Sequence, residues 1–146
     1  MKIALKYGLA TAVCFIAWVS IAHWLVPDPR SAVHSVGAFS FVNIVQIIAI
    51  LLGIREKKAA SGQLRFKDGV KTGVAIAVVY AVAVSQFFVI ALSVLGPGML
   101  AVEHDAALKP LWQVALGAFL GLGVVAVFFG LLYSAMISFF LTSRSK

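Results

Sequence analysis

Apolar residues in this chain gather in four long blocks instead of alternating with polar ones. The blocks run roughly over 7–26, 33–54, 72–95 and 111–141, and none contains an Asp, Glu, Lys or Arg. A helix that crosses a bilayer needs about 20 predominantly apolar residues. A charge at its centre costs about 2.5–3.5 kcal/mol on the insertion scale. Each block meets both conditions. Hydrocarbon offers the backbone no water, so each block must pair its own N–H and C=O groups as a helix. Strands of a membrane barrel would show segments of about ten residues with alternating polarity. The expected fold is all-α: a polytopic membrane protein, with residues 1–146 forming one four-transmembrane-helix bundle.

The punctuation between blocks agrees. Pro27-Asp28-Pro29 stops the first block, since proline bars continuation of a helix and restrains the residue before it. Ser31 or Ser35 offers an N-cap to the second. Gly96-Pro97-Gly98 ends the third. Pro110 stands just before the fourth, where its missing N–H does no harm. The first block has a second reading. Lys2 and Lys6 precede an apolar stretch, and Ser20-Ile21-Ala22 resembles a small-x-small cleavage site, so a signal peptide would leave three spans. The apolar character continues through Trp24, Leu25 and Val26, which favours a retained helix.

Composition narrows the class. Of the 146 residues, 62% are hydrophobic and 12% charged, against roughly 45–50% and about 25% in soluble domains. A soluble enzyme, a disordered chain and a disulfide scaffold are excluded. The single cysteine, Cys14, lies in the first block and is expected to act as a buried small hydrophobe. The net charge of +7 would point to nucleic acid in a soluble protein. Here the charges fall between apolar blocks and report topology, and no nucleic-acid partner is expected. Ten of the twelve Lys and Arg lie in the N-terminus, the second loop and the tail; Arg30 and Lys109 lie on the other side. The positive-inside rule then places both termini in the cytoplasm. Trp24 and Trp112 would sit at the outer interface and Tyr7 at the inner one.

Several segments carry a resemblance. Lys6-Tyr7-Gly8 opens the first helix. Ile54-Arg55-Glu56-Lys57-Lys58 leaves the second. Gly62-Gln63-Leu64-Arg65-Phe66-Lys67-Asp68-Gly69-Val70-Lys71-Thr72-Gly73-Val74 leads into the third. Together they resemble a family of small four-helix bacterial membrane proteins of unknown function, the DUF4199-like group, across nearly the whole length. That family shares an early Lys-Tyr-Gly, a basic and acidic cluster after the second helix, and a Gly-x-x-x-Phe-x-x-Gly-like approach to the third. The resemblance implies the four-helix fold and a multi-pass location in the bacterial inner (cytoplasmic) membrane. It brings no activity and no catalytic residue.

The candidate functional residues fall into four groups. In the second loop, Arg55, Lys57, Lys58, Arg65, Lys67 and Lys71 outweigh Glu56 and Asp68. They would rest on anionic lipid head groups, each contributing about 1 kcal/mol, or dock a cytoplasmic partner. No P-loop pattern points to a nucleotide. Asp68 stands three residues from both Arg65 and Lys71, a spacing for weak helical pairs. Leu64 and Phe66 would dip into the interface. Within the spans, Asn43 and Gln46 share a helix face, and Ser85 and Gln86 lie on the third helix with Tyr80. Such groups would bond helices two and three together, join subunits, or line a polar solute path.

The fourth block carries Gly117-x-x-x-Gly121, then Gly123, and Gly130, Ser134 and Ser138 at spacings of four. Small residues let helix backbones approach closely in lipid; the partner helix could belong to this chain or to another. At 1.5 Å per residue the block is about 46 Å long, so it must tilt, bend or project beyond a core of about 30 Å. Last, His23, His34 and His104 fall on the outer side with Asp28. A metal would need three or four such ligands to converge, and their spacing matches no ligand signature. No metal, haem or other cofactor is expected. No nucleophile elbow occurs, and no enzymatic activity is expected. The resulting expectation is a non-catalytic structural, assembly or accessory subunit, with a homo-oligomer or a membrane-protein partner. The alternative is a small-solute transporter or channel working as an oligomer. Against it stands the lack of an intramembrane carboxylate or lysine, the usual marker of an ion path.

Overall fold

The computed structural model describes residues 1–26, 31, 33–95 and 110–143. It contains four α-helices: α1 (Lys2–Leu25), α2 (Ala38–Ser61), α3 (Phe66–Leu95) and α4 (Leu111–Ser143). All four are long and apolar enough to cross a membrane, and the described residues include no strand.

The helices overrun the hydropathy blocks at the charged ends. α3 begins six residues before Thr72. Asp68 sits in its first turn, where a carboxylate meets the positive end of the helix dipole. The N–H groups of Asp68 and Gly69 bond to the Arg65 carbonyl at 3.0 and 3.1 Å. α2 likewise continues seven residues past Ile54. The second loop therefore shrinks to residues 62–65, and most of its basic residues sit on helix ends. Gly62 closes α2 with φ 71°, a backbone that side chains disfavour. At the far end of α2, a π-helical turn (Val33–Gly37) leads into the α-helix. Ser31 Oγ accepts the Val33 N–H at 3.3 Å and so caps this segment. Asp28, Arg30, the Gly96-Pro97-Gly98 stop, His104, Lys109 and the basic tail lie outside the described residues.

Successive helices run in opposite directions. The start of α1, the end of α2, the start of α3 and the end of α4 thus gather at one end of the bundle, called the basic end below. α3 packs on all three other helices and most extensively on α4, while α1 packs on α2 and α3. The α2–α3 pair therefore lies between α1 and α4. Near the basic end, Ile50, Ile54, Leu64 and Ile76 form the core; midway it is Ala12, Phe15, Tyr80 and Val84; at the far end Leu92 meets Val114. Leu64 is only 7% exposed, so it belongs to the core and not to an interface, whereas Phe66 does stay exposed. Cys14, expected to be buried, is exposed on α1. α4 is the least covered helix: 12% of its most apolar stretch is buried, against 39% for α3.

Candidate functional site

The closest helix contact is the α3–α4 seam. α3 presents Gly69, Gly73 and Ala77 at spacings of four, and α4 presents Gly130, Ser134 and Ser138 at the same spacing. The helices are antiparallel, so Gly69 faces Ser138, Gly73 faces Ser134 and Ala77 faces Gly130. A Cβ at Gly73 would lie 2.7 Å from Ser134 Cβ and 3.0 Å from Ile50 Cγ2, and one at Gly130 would overlap Ala77 Cβ. Ser134 Oγ donates back to the Gly130 carbonyl of its own helix, so the hydroxyl is satisfied without separating the backbones. Further along, Ser85 Oγ donates to the Phe119 carbonyl at 3.4 Å.

The small residues of α4 thus divide. Gly130 and Ser134 pack inside the chain. Gly117 and Gly121 are exposed, and no described residue lies within 4 Å of a Cβ built at Gly117, Gly121 or Gly123. Sequence reasoning missed the complementary glycines of α3. Gly69-x-x-x-Gly73 is the signal, hidden because Lys71 separates Gly69 from the apolar block that contains Gly73.

Of the roles expected for Asn43 and Gln46, bonding between helices two and three is not what the structure shows: both bond to α4. Buried Gln46 donates from Nε2 to the Ala126 carbonyl at 3.1 Å. Asn43 Nδ2 donates to the Phe39 carbonyl at 2.6 Å, and its Oδ1 accepts from the Tyr133 hydroxyl. The reason is steric: α4 comes close where Gly130 lacks a side chain, and a Cβ there would stand 3.1 Å from Gln46 Nε2. The two amides also line a cavity of about 210 Å³ with Phe15, Tyr80, Val125 and Phe129. Gln86, expected to face another helix, is exposed on the outside of α3.

Polar contacts tie the helix ends together at the basic end. Glu56 Oε2 accepts from Lys6 Nζ and from the Tyr7 hydroxyl, each at 2.7 Å. Lys6 Nζ also stands 4.9 Å from the centroid of the Tyr7 ring. Lys58 Nζ donates to the Leu141 carbonyl at 3.0 Å, a cation placed on the open carbonyls of a helix C-terminus. Gly8 completes the Lys6-Tyr7-Gly8 run. A Cβ there would fall 2.7 Å from Val79 Cβ and 2.9 Å from the Ile76 carbonyl oxygen, so α1 crosses α3 at this point.

Of the basic candidates, Arg55, Arg65, Lys67 and Lys71 are exposed and Lys57 is half-buried. Asp68 forms no ion pair with Arg65 or Lys71; among the described residues the ion pair is Lys6–Glu56. A few tenths of a kcal/mol per exposed pair is too little to fix such long side chains.

At the opposite end, His23, Trp24 and Trp112 are exposed. The side chain of His34, and His104 altogether, lie outside the described residues. No group of three or more His, Cys, Asp or Glu that could hold a metal occurs among the described residues. What the described residues offer is a set of packing faces, an amide-lined cavity and a cationic end. Comparison with protein-family models, curated proteins and solved structures gave no match.

Proposed function

We propose that the chain is a non-catalytic, multi-pass component of a bacterial inner membrane. It acts as a structural, assembly or accessory subunit, with both termini and the basic end in the cytoplasm. The observation that carries this reading is the division of α4. This helix packs on α3 through Gly130, Ser134 and Ser138 near the basic end and through Phe119 and Val114 beyond, while Gly117, Gly121 and Gly123 face away from every described residue. Burial of apolar surface does not drive helices together in lipid, and small residues that allow close backbone approach do. A glycine strip with no partner among the described residues suits a second copy or a partner helix. The basic end, resting on anionic head groups, fixes the orientation.

Photo-crosslinking in membranes tests this reading. A crosslinking residue at Gly117 or Gly121 captures a second copy or one defined membrane protein. The same residue at Ile21, exposed on α1, labels lipid. Equal, diffuse labelling at both positions rejects the reading. A transporter or channel is the second reading, favoured by the cavity beside Asn43 and Gln46. Flux of small polar solutes into proteoliposomes, lost in Asn43→Leu, supports it; no flux across a broad panel rejects it.

A further inference from the structure

Six described lysines lie at the basic end; Lys67 is exposed outside the groove described below, and the other five divide into two kinds. Lys6 is engaged by Glu56, and Lys58 by the Leu141 carbonyl. Lys2, Lys57 and Lys71 have no side-chain partner among the described residues. These three come from three different helices and converge on one groove of about 750 Å³ between α1 and α3.

The groove has a charged end and an apolar wall. Ala75, Val78 and Val79 of α3 line the wall, opposite Ala4 and Leu5 of α1. Its deep limit is the crossing at Gly8, which meets Val79 and the Ile76 carbonyl. Along α3 the span from Lys71 to Val79 is eight residues, or about 12 Å. Asp68 is the one carboxylate among the lining residues, so three lysine side chains face one carboxylate. The Thr72 hydroxyl there is already spent on the Asp68 carbonyl at 2.8 Å.

We infer that this groove binds one anionic phospholipid. The phosphate-bearing head group lies among Lys2, Lys57 and Lys71, and the first part of an acyl chain lies along the α1–α3 wall. A free phosphate or an acidic peptide would answer the lysines but leave the apolar wall without a ligand. A zwitterionic lipid would fill the wall but leave the cationic excess unmatched. The inference rests on the membrane-spanning reading and is independent of association through α4.

The test uses the full chain in phosphatidylcholine nanodiscs doped with phosphatidylglycerol, followed by native mass spectrometry of the lipid retained on release. The expected result is one phosphatidylglycerol held in preference to phosphatidylcholine. A lysine near an anionic surface contributes roughly fivefold, so Lys57→Gln with Lys71→Gln lowers retention about thirtyfold. Arg55→Gln with Lys67→Gln removes the same charge outside the groove and leaves retention unchanged. Asp68→Asn raises it. Equal losses in the two double variants would show a diffuse field and overturn the site. So would equal retention of phosphatidylcholine, or displacement of the lipid by inorganic phosphate. Failure to enter the nanodisc would overturn the membrane reading itself, whereas entry without lipid preference would overturn this site alone.

Discussion

One methyl group at Gly73 probes the α3–α4 seam. In Gly73→Ala the new Cβ would lie 2.7 Å from Ser134 Cβ and 3.0 Å from Ile50 Cγ2. Both neighbours are fixed by packing: Ile50 is fully buried, and Ser134 is held on its own helix. Overpacking of this kind costs about 1–3 kcal/mol, and the gain from replacing a helical glycine returns about 0.5–1 kcal/mol. The net expected loss is about 0–2.5 kcal/mol, with a midpoint of roughly 1 kcal/mol. Ser134→Gly removes the opposing Cβ. The double variant Gly73→Ala/Ser134→Gly is therefore expected to be more stable than the sum of the singles by about 1–2 kcal/mol, within the range for residues in contact. Gly117→Ala is the control, since nothing lies near its Cβ, and it should show no loss. Reversible unfolding in mixed detergent micelles, followed by circular dichroism, supplies the four free energies. Additive effects in the cycle, or a Gly73→Ala variant as stable as Gly117→Ala, would refute the proposed register of the seam.

Other consequences are narrower. Gly62→Val should lower the unfolding free energy by about 1–2 kcal/mol through backbone strain alone, because φ is 71° and no neighbour lies within 4 Å; Gly62→Asn should be milder, and equal effects would contradict a conformational cause. Gln46→Leu removes the bond to Ala126 and should cost about 0.6 kcal/mol, the average for interhelical bonds in one membrane protein, while Gln86→Leu costs nothing. Glu56→Gln should loosen the start of α1 by a small amount that shrinks at high salt; a salt-independent loss would mean that the Lys6 pair is not its source.

The number of helices and their apolar extents were legible in the hydropathy blocks, because a continuous apolar run has few other ways to satisfy its backbone. Their ends were not. Residues 55–61 and 66–71 are polar yet helical, and charge marks the end of an apolar block without ending the hydrogen-bond ladder. The stripe Gly130-Ser134-Ser138 is legible from its spacing, whereas its partners Gly69 and Gly73 straddle Lys71 and the edge of the apolar block, so no continuous apolar stripe marks them. Which helix receives Asn43 and Gln46 was beyond a one-dimensional pattern. Both amides share a face of α2, but only the absent side chain at Gly130 brings α4 near enough to accept them. Lys6, Tyr7 and Glu56 stood out as motif residues, and their common meeting point required the antiparallel pairing of α1 and α2.

On the function proposed above, α4 has a face built for another helix. The most direct measurement is the protein mass of the purified chain in mild detergent, corrected for bound detergent, beside the Gly117→Leu/Gly121→Leu variant. The expected result is a wild-type mass well above the 15.5 kDa of one chain, from further copies or from a partner at fixed ratio, with the variant falling to a folded single chain. A wild-type protein that runs as a clean 15.5 kDa monomer without partners, or a variant that assembles as fully as the wild type, would contradict it.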